Sequence, residues 1–146
     1  SSNYEIIEYS ALNVPLSTSG SVSVSIPAIY NGSYYITIKH RNSLQTVSAT
    51  AKSFSGMTIT QSFGSPSEVY GGNLVQMVDL GYAIYGGDVN LDDIIDGTDM
   101  AFVENDATNA SAGYLFDDSN GDGIIDGADM ALIENNANLA IGSITP

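Results

Sequence analysis

The chain has 146 residues, 43% apolar and only 14% charged, with 17 acidic against three basic residues and a formal charge of −14. That content supports a buried core. It leaves too few cations (Lys39, Arg41, Lys52) to neutralise a phosphate backbone or an anionic membrane surface, so nucleic acid is excluded as a partner. No cysteine and a single histidine, His40, exclude disulfides, thiolate chemistry and multi-histidine metal sites.

From the N-terminus, Ser1-Ser2-Asn3-Tyr4 carries no leader pattern and reads as a cut from a longer parent. Leu12, Val14 and Leu16, then Val22, Val24 and Ile26, alternate with other residues at the period of a strand. Asn31-Gly32 signals a tight turn before the aromatic and β-branched run Tyr34–Lys39. Met57 with Ile59, Leu74–Val78 and Tyr82–Tyr85 supply further short strands. Short strands broken by Ser, Gly and Pro predict an antiparallel sandwich of immunoglobulin-like type over residues 1–86.

Charge then changes abruptly. Residues 1–85 hold four acids and all three bases, whereas residues 86–146 hold thirteen acids and no base. That asymmetry predicts two domains, 1–86 and 87–146, meeting near Gly86-Gly87. The second contains an internal repeat. Residues 88–107 recur as 118–137, with thirteen of twenty positions identical.

Each copy places oxygen side chains at loop positions 1, 3, 5, 9 and 12: Asp88, Asn90, Asp92, Asp96 and Asp99, then Asp118, Asn120, Asp122, Asp126 and Asp129. A turn of that length can wrap one ion, with the position 7 carbonyls of Ile94 and Ile124 as additional donors. An all-oxygen set selects calcium over a transition metal, so two Ca²⁺ are expected. Two solvated acidic turns are the competing interpretation, but chance rarely repeats such a pattern at one spacing. Ile95 and Ile125 at position 8 are expected to pair across the loops as a short apolar bridge. At position 6, where the chain turns sharply, Gly123 has the usual residue and Asp93 does not, which makes the first site the weaker one.

Glycines and short segments precede both loops, so no entering helix is expected. After each loop, Met100, Val103 and Ala107, or Met130, Ile133 and Ala137, define one face of an exiting helix. A duplicated calcium loop with only an exiting helix resembles the dockerin family over residues 88–137. The resemblance implies a small helical, calcium-loaded module that plugs a secreted parent protein into a cohesin domain. The β region is similar in architecture to the X-module that accompanies some dockerins. Dockerins read their partner at loop positions 10 and 11 and on the exiting helix. Those positions are Gly97-Thr98 and Gly127-Ala128, in place of the Ser-Thr pair of many members, with Glu104-Asn105 and Glu134-Asn135 on the helices.

The expected function is therefore non-catalytic protein docking: a monomer until it meets its cohesin-like partner, secreted or on the surface of a bacterium or archaeon. The alternative is a calcium-stabilised structural or adhesive C-terminal module without a cohesin. Nothing around His40 forms an acid–base pair in a recognisable motif, so no enzyme is expected.

Overall fold

The β-rich half is built from short antiparallel pairings that local sequence alone would not sustain. The computed structural model describes residues 4–56 and 58–146. Among these, strands β1 (Ser33–Tyr34) and β4 (Lys52–Ser53) pair, as do β2 (Thr37–His40) and β3 (Ser43–Val47), and β5 (Val75–Met77) and β6 (Gly81–Ala83). All three pairings are antiparallel. The β2–β3 hairpin sets Thr37 opposite Val47 and Ile38 opposite Thr46, with an irregularity before the His40–Ser43 pair. Asp79 and Gly81, both at positive φ, turn β5 into β6.

The antiparallel character agrees with expectation; among the described residues the strands form three two-stranded sheets, which do not by themselves make up the facing sheets of a sandwich. Residues 5–29 contribute no strand. Leu12, Leu16, Val22, Val24 and Ile26 are exposed there, because alternation creates a strand only where a partner backbone and an apolar face receive it. Asn31-Gly32 joins no adjacent strands; the Gly32 carbonyl instead accepts from Phe54 N–H (2.8 Å). The strand expected at Met57 lies outside the described residues.

Two helices follow the acidic loops, α1 (Gly97–Thr108) and α2 (Gly127–Ala137). Each starts with a reciprocal cap. The Asp96 and Asp126 side chains accept from the backbone N–H groups of Thr98 and Ala128, while Asp99 and Asp129 reach back to the cap N–H. Each helix is followed within three residues by a left-handed alanine, Ala110 (φ 52°) or Ala140 (φ 50°). Ser111 N–H then closes on the Asp106 carbonyl at 2.9 Å, and Ile141 N–H on that of Asn136 at 3.4 Å. No helix among the described residues is long and apolar enough to cross a membrane.

The two loop–helix units exchange equivalent contacts. Ile95 N–H donates to Ile141 O, just after α2, and Ile125 N–H donates to Ser111 O, just after α1. Ile94 bridges Gly142, and Ile124 bridges Ala112. Such reciprocity is the mark of a pseudo-two-fold relation. It also corrects the expected Ile95–Ile125 bridge: each loop pairs with the segment leaving the other helix, and both isoleucine side chains lie in the buried cluster.

Leu44, Val89, Ile95, Val103, Ile125 and Ile133 form the buried cluster, with Met100, Ala107, Met130 and Ala137 packed against it. Leu44 belongs to β3, so the cluster spans the position where the charge changes. The backbone crosses there too: Leu44 N–H donates to Tyr85 O (3.0 Å) and Gly87 N–H to Asn42 O (2.7 Å). Gly87 must be glycine, since at φ 115° an added Cβ would lie 3.2 Å from Ile133 and 3.3 Å from Ile95. Leu44→Ala should cost about 2–5 kcal/mol and loosen the helical half as well as the hairpin. Urea unfolding followed at a tyrosine of the β region and by helical circular dichroism checks this; loss of the first signal alone would separate the halves.

Candidate functional site

The acidic loops are folded by their own carboxylates. Asp99, fully buried, accepts from Val89 N–H (2.7 Å) and Asn90 N–H (3.1 Å) on one oxygen and Asp96 N–H (2.9 Å) on the other. Asp129 repeats the pattern with Ser119 (2.8 Å), Asn120 (3.0 Å) and Asp126 (3.0 Å). At positions 3 and 5, Asn90 Oδ1 accepts from Asp92 N–H and Asp92 Oδ1 from Ile94 N–H; Asn120 and Asp122 do the same. The burial profiles of residues 91–110 and 121–140 coincide position by position.

Position 1 is where the loops differ. Asp88, buried, accepts from Asp92 N–H (3.1 Å) and Asp93 N–H (3.2 Å) on separate oxygens. Burial, reinforced by the Asp99 and Asp93 charges, pushes its carboxyl up to about 6. Asp118, equally buried, accepts from Gly121 N–H (2.8 Å) on Oδ1, while its Oδ2 has no hydrogen-bond partner. Arg41 Nη2 stands 3.9 Å from that oxygen, beyond hydrogen-bond reach.

Position 6 requires a left-handed backbone in both loops, with Asp93 at φ 72° and Gly123 at φ 82°. Asp93 is also tied down in ways its loop position did not reveal. Gln45 Nε2 donates to its Oδ2 at 2.8 Å and Ser143 Oγ to its Oδ1 at 3.2 Å. The first loop is thus gripped by β3 and by the C-terminal segment. The second is gripped by the hairpin turn: Arg41 donates to the carbonyls of Leu115 and Asp118, Asn42 Nδ2 also reaches Asp118 O (3.0 Å), and the Arg41 guanidinium lies 3.8 Å from the Tyr114 ring centroid.

All ten oxygen-bearing side chains and the two isoleucines of the expected ligand set are thus in two matching loops. Among the described residues, no three His, Cys, Asp or Glu side chains are gathered as a metal-ligand group. The carboxylates are instead turned onto N–H groups of their own loops. The donor chemistry nevertheless suits a hard divalent cation, and the orphan Asp118 Oδ2 is a buried anionic oxygen that a cation would satisfy.

The residues expected to meet a partner, Gly97, Thr98, Glu104, Asn105, Gly127, Ala128, Glu134 and Asn135, are all exposed, at the starts and outer faces of the helices. His40 is exposed and its Nδ1 lies 3.1 Å from Asn42 Oδ1, a turn contact. Sequence reasoning missed Arg41, Asn42 and Gln45, whose signal was only their position between two apolar strands. It also missed Asp106 and Asp117, whose side chains meet; burial first, and Asp106 beside it, raise the Asp117 carboxyl above the ordinary range. No family model, curated protein or solved structure matches the chain.

Proposed function

We propose that the chain is a calcium-dependent, non-catalytic docking module of dockerin type, in which residues 88–99 and 118–129 each hold one Ca²⁺. The observation carrying this reading is the duplication itself. Two loop–helix units share ligand-type residues, cap geometry and burial, and face each other through reciprocal contacts. Asp88, Asn90, Asp92, Asp96 and Asp99 with the Ile94 carbonyl would hold the first ion. Asp118, Asn120, Asp122, Asp126 and Asp129 with the Ile124 carbonyl would hold the second. The ions would neutralise the acidic loops and fix the helix starts that present Gly97-Thr98 and Gly127-Ala128.

In the same reading residues 1–86 form an X-module-like companion, immunoglobulin-like in strand composition, whose β2–β3 hairpin braces the calcium loops through Arg41, Asn42 and Gln45. The parent would be secreted or displayed on a bacterial or archaeal surface, and the partner a cohesin-like domain. Capture on immobilised chain from the source organism's secreted fraction tests it. The expected result is a cohesin-like sandwich retained with calcium and released by EDTA. A calcium-bound chain that retains no such protein would leave the alternative, a calcium-stapled structural or adhesive module.

A further inference from the structure

A cleft of about 360 Å³ opens between the first loop, the outer face of α1 and the segment entering the second loop. Its walls are mostly apolar, Val89, Leu91, Phe102 and Phe116, with Asn90 of the first loop beside them. Two carboxylates, Asp106 and Asp117, line it as well. Asp117 is only 4% exposed, and its Oδ2 is buried with no hydrogen-bond partner.

The repeat shows what is unusual here. Thirty residues on, Asn136 replaces Asp106 and donates from Nδ2 to the Gly86 carbonyl at 2.8 Å, which closes the corresponding junction. On that side Gly86 and Gly87 stand where Phe116 and Asp117 stand on this one. An amide has thus become a carboxylate that cannot donate, and two glycines have become an aromatic ring and a second acid. One junction is sealed; its counterpart is an open, apolar cleft with an unsatisfied anionic oxygen.

We propose that this cleft receives the side chain of a lysine from a protein partner. The four apolar walls suit a four-carbon stem, the exposed rings of Phe102 and Phe116 suit a cation, and the ammonium supplies donors to Asp117 and Asp106, two facing carboxylates that cannot donate to each other while both are ionised. A bare or hydrated metal ion would gain nothing from such walls. Thirteen acids without a base in residues 86–146 would steer a basic partner toward it. The proposal rests on the docking reading for the origin of the lysine, not for the chemistry of the cleft.

The test is an NMR titration of the full chain, in saturating calcium, with Nα-acetyl-lysine methylamide; the norleucine analogue is the uncharged control. The lysine probe should bind with Kd on the order of 1 mM, perturbing Leu91, Phe102, Phe116 and Asp117. The norleucine analogue should bind at least tenfold more weakly. Asp106→Asn, which copies the sealed junction and lies on a partly exposed helix face, should weaken the lysine probe tenfold or more while keeping the spectrum folded. Asp117→Asn should do the same if it folds.

Equal binding of the two probes, or full binding by Asp106→Asn, would overturn the proposal. So would a third calcium ion counted by calorimetry and lost in Asp106→Asn. Failure to recover a cohesin leaves this titration intact, so the two readings fail separately.

Discussion

Chelation with EDTA is expected to lower the melting temperature by about 10–20 °C relative to 1 mM calcium. Each loop confines four ligand-type carboxylates, and two unit charges ~5 Å apart repel by roughly 3 kcal/mol at an effective dielectric constant of 20. A site with Kd near ~10 μM adds about 2.7 kcal/mol at a hundredfold excess of ion, and two sites add roughly twice that. For a chain of this length each kcal/mol moves the midpoint by about 2–4 °C. Because Leu44 and the Arg41–Asn42 turn join the hairpin to the loops, β2 and β3 should loosen with them while residues farther away change less. Thermal circular dichroism with calcium, with EDTA and with magnesium checks this. Magnesium should not substitute, since it demands tighter octahedral geometry than these loops offer. Superimposable curves with calcium and with EDTA would remove the metal from the fold.

Asp122→Ala provides the site-specific version. It deletes position 5 of the second loop together with the acceptor of Ile124 N–H, so calorimetry should count one ion fewer and the melting midpoint in calcium should fall. Asp93→Gly is a subtler substitution than its loop position implies. It eases a left-handed backbone, but it also removes the acceptor used by Gln45 and Ser143.

The acidic half was legible because its information is local and duplicated. Ligand spacing and the apolar helix face both fall within one repeat, so Val103 and Ile133 could be assigned inward from spacing alone; both are fully buried. The β half was not, because strand pairing depends on partners distant in sequence. The Val22–Ile26 alternation is as regular as any strand, yet it finds no neighbour. The β2–β3 hairpin forms around Arg41-Asn42, which carries no strong turn signal, because its Leu44 has a helical core to enter. Ile95 and Ile125 show the same limit: their burial was readable from the repeat, but not the segment to which each backbone would pair. Nor could spacing show that Asp96 and Asp99 would cap a helix. The same two carboxylates serve capping and, in the proposed function, calcium, so both roles favour the same residues.

Arginine at both Thr98 and Ala128 is expected to abolish cohesin capture while two calcium ions still bind and the melting midpoint falls by only a few degrees. Both positions are exposed at the second residue of a helix, and the reciprocal contacts of the two units place them in related settings. Their small neighbours Gly97 and Gly127 have open space above them, so a partner sheet could approach the helix starts closely. A long cation there blocks that approach. It also sits at the positive end of the helix dipole, a modest penalty of roughly 0.3–1 kcal/mol that leaves the fold intact. Thr98 additionally donates to the Asp96 carboxylate through its hydroxyl, so Thr98→Arg loses a local contact that Ala128→Arg does not. If either helix start can serve, each single substitution weakens capture little and only the pair eliminates it. Binding retained in full by the double variant would move the interface away from the helix starts. Loss with Thr98→Arg alone would instead show that the partner reads one unit only.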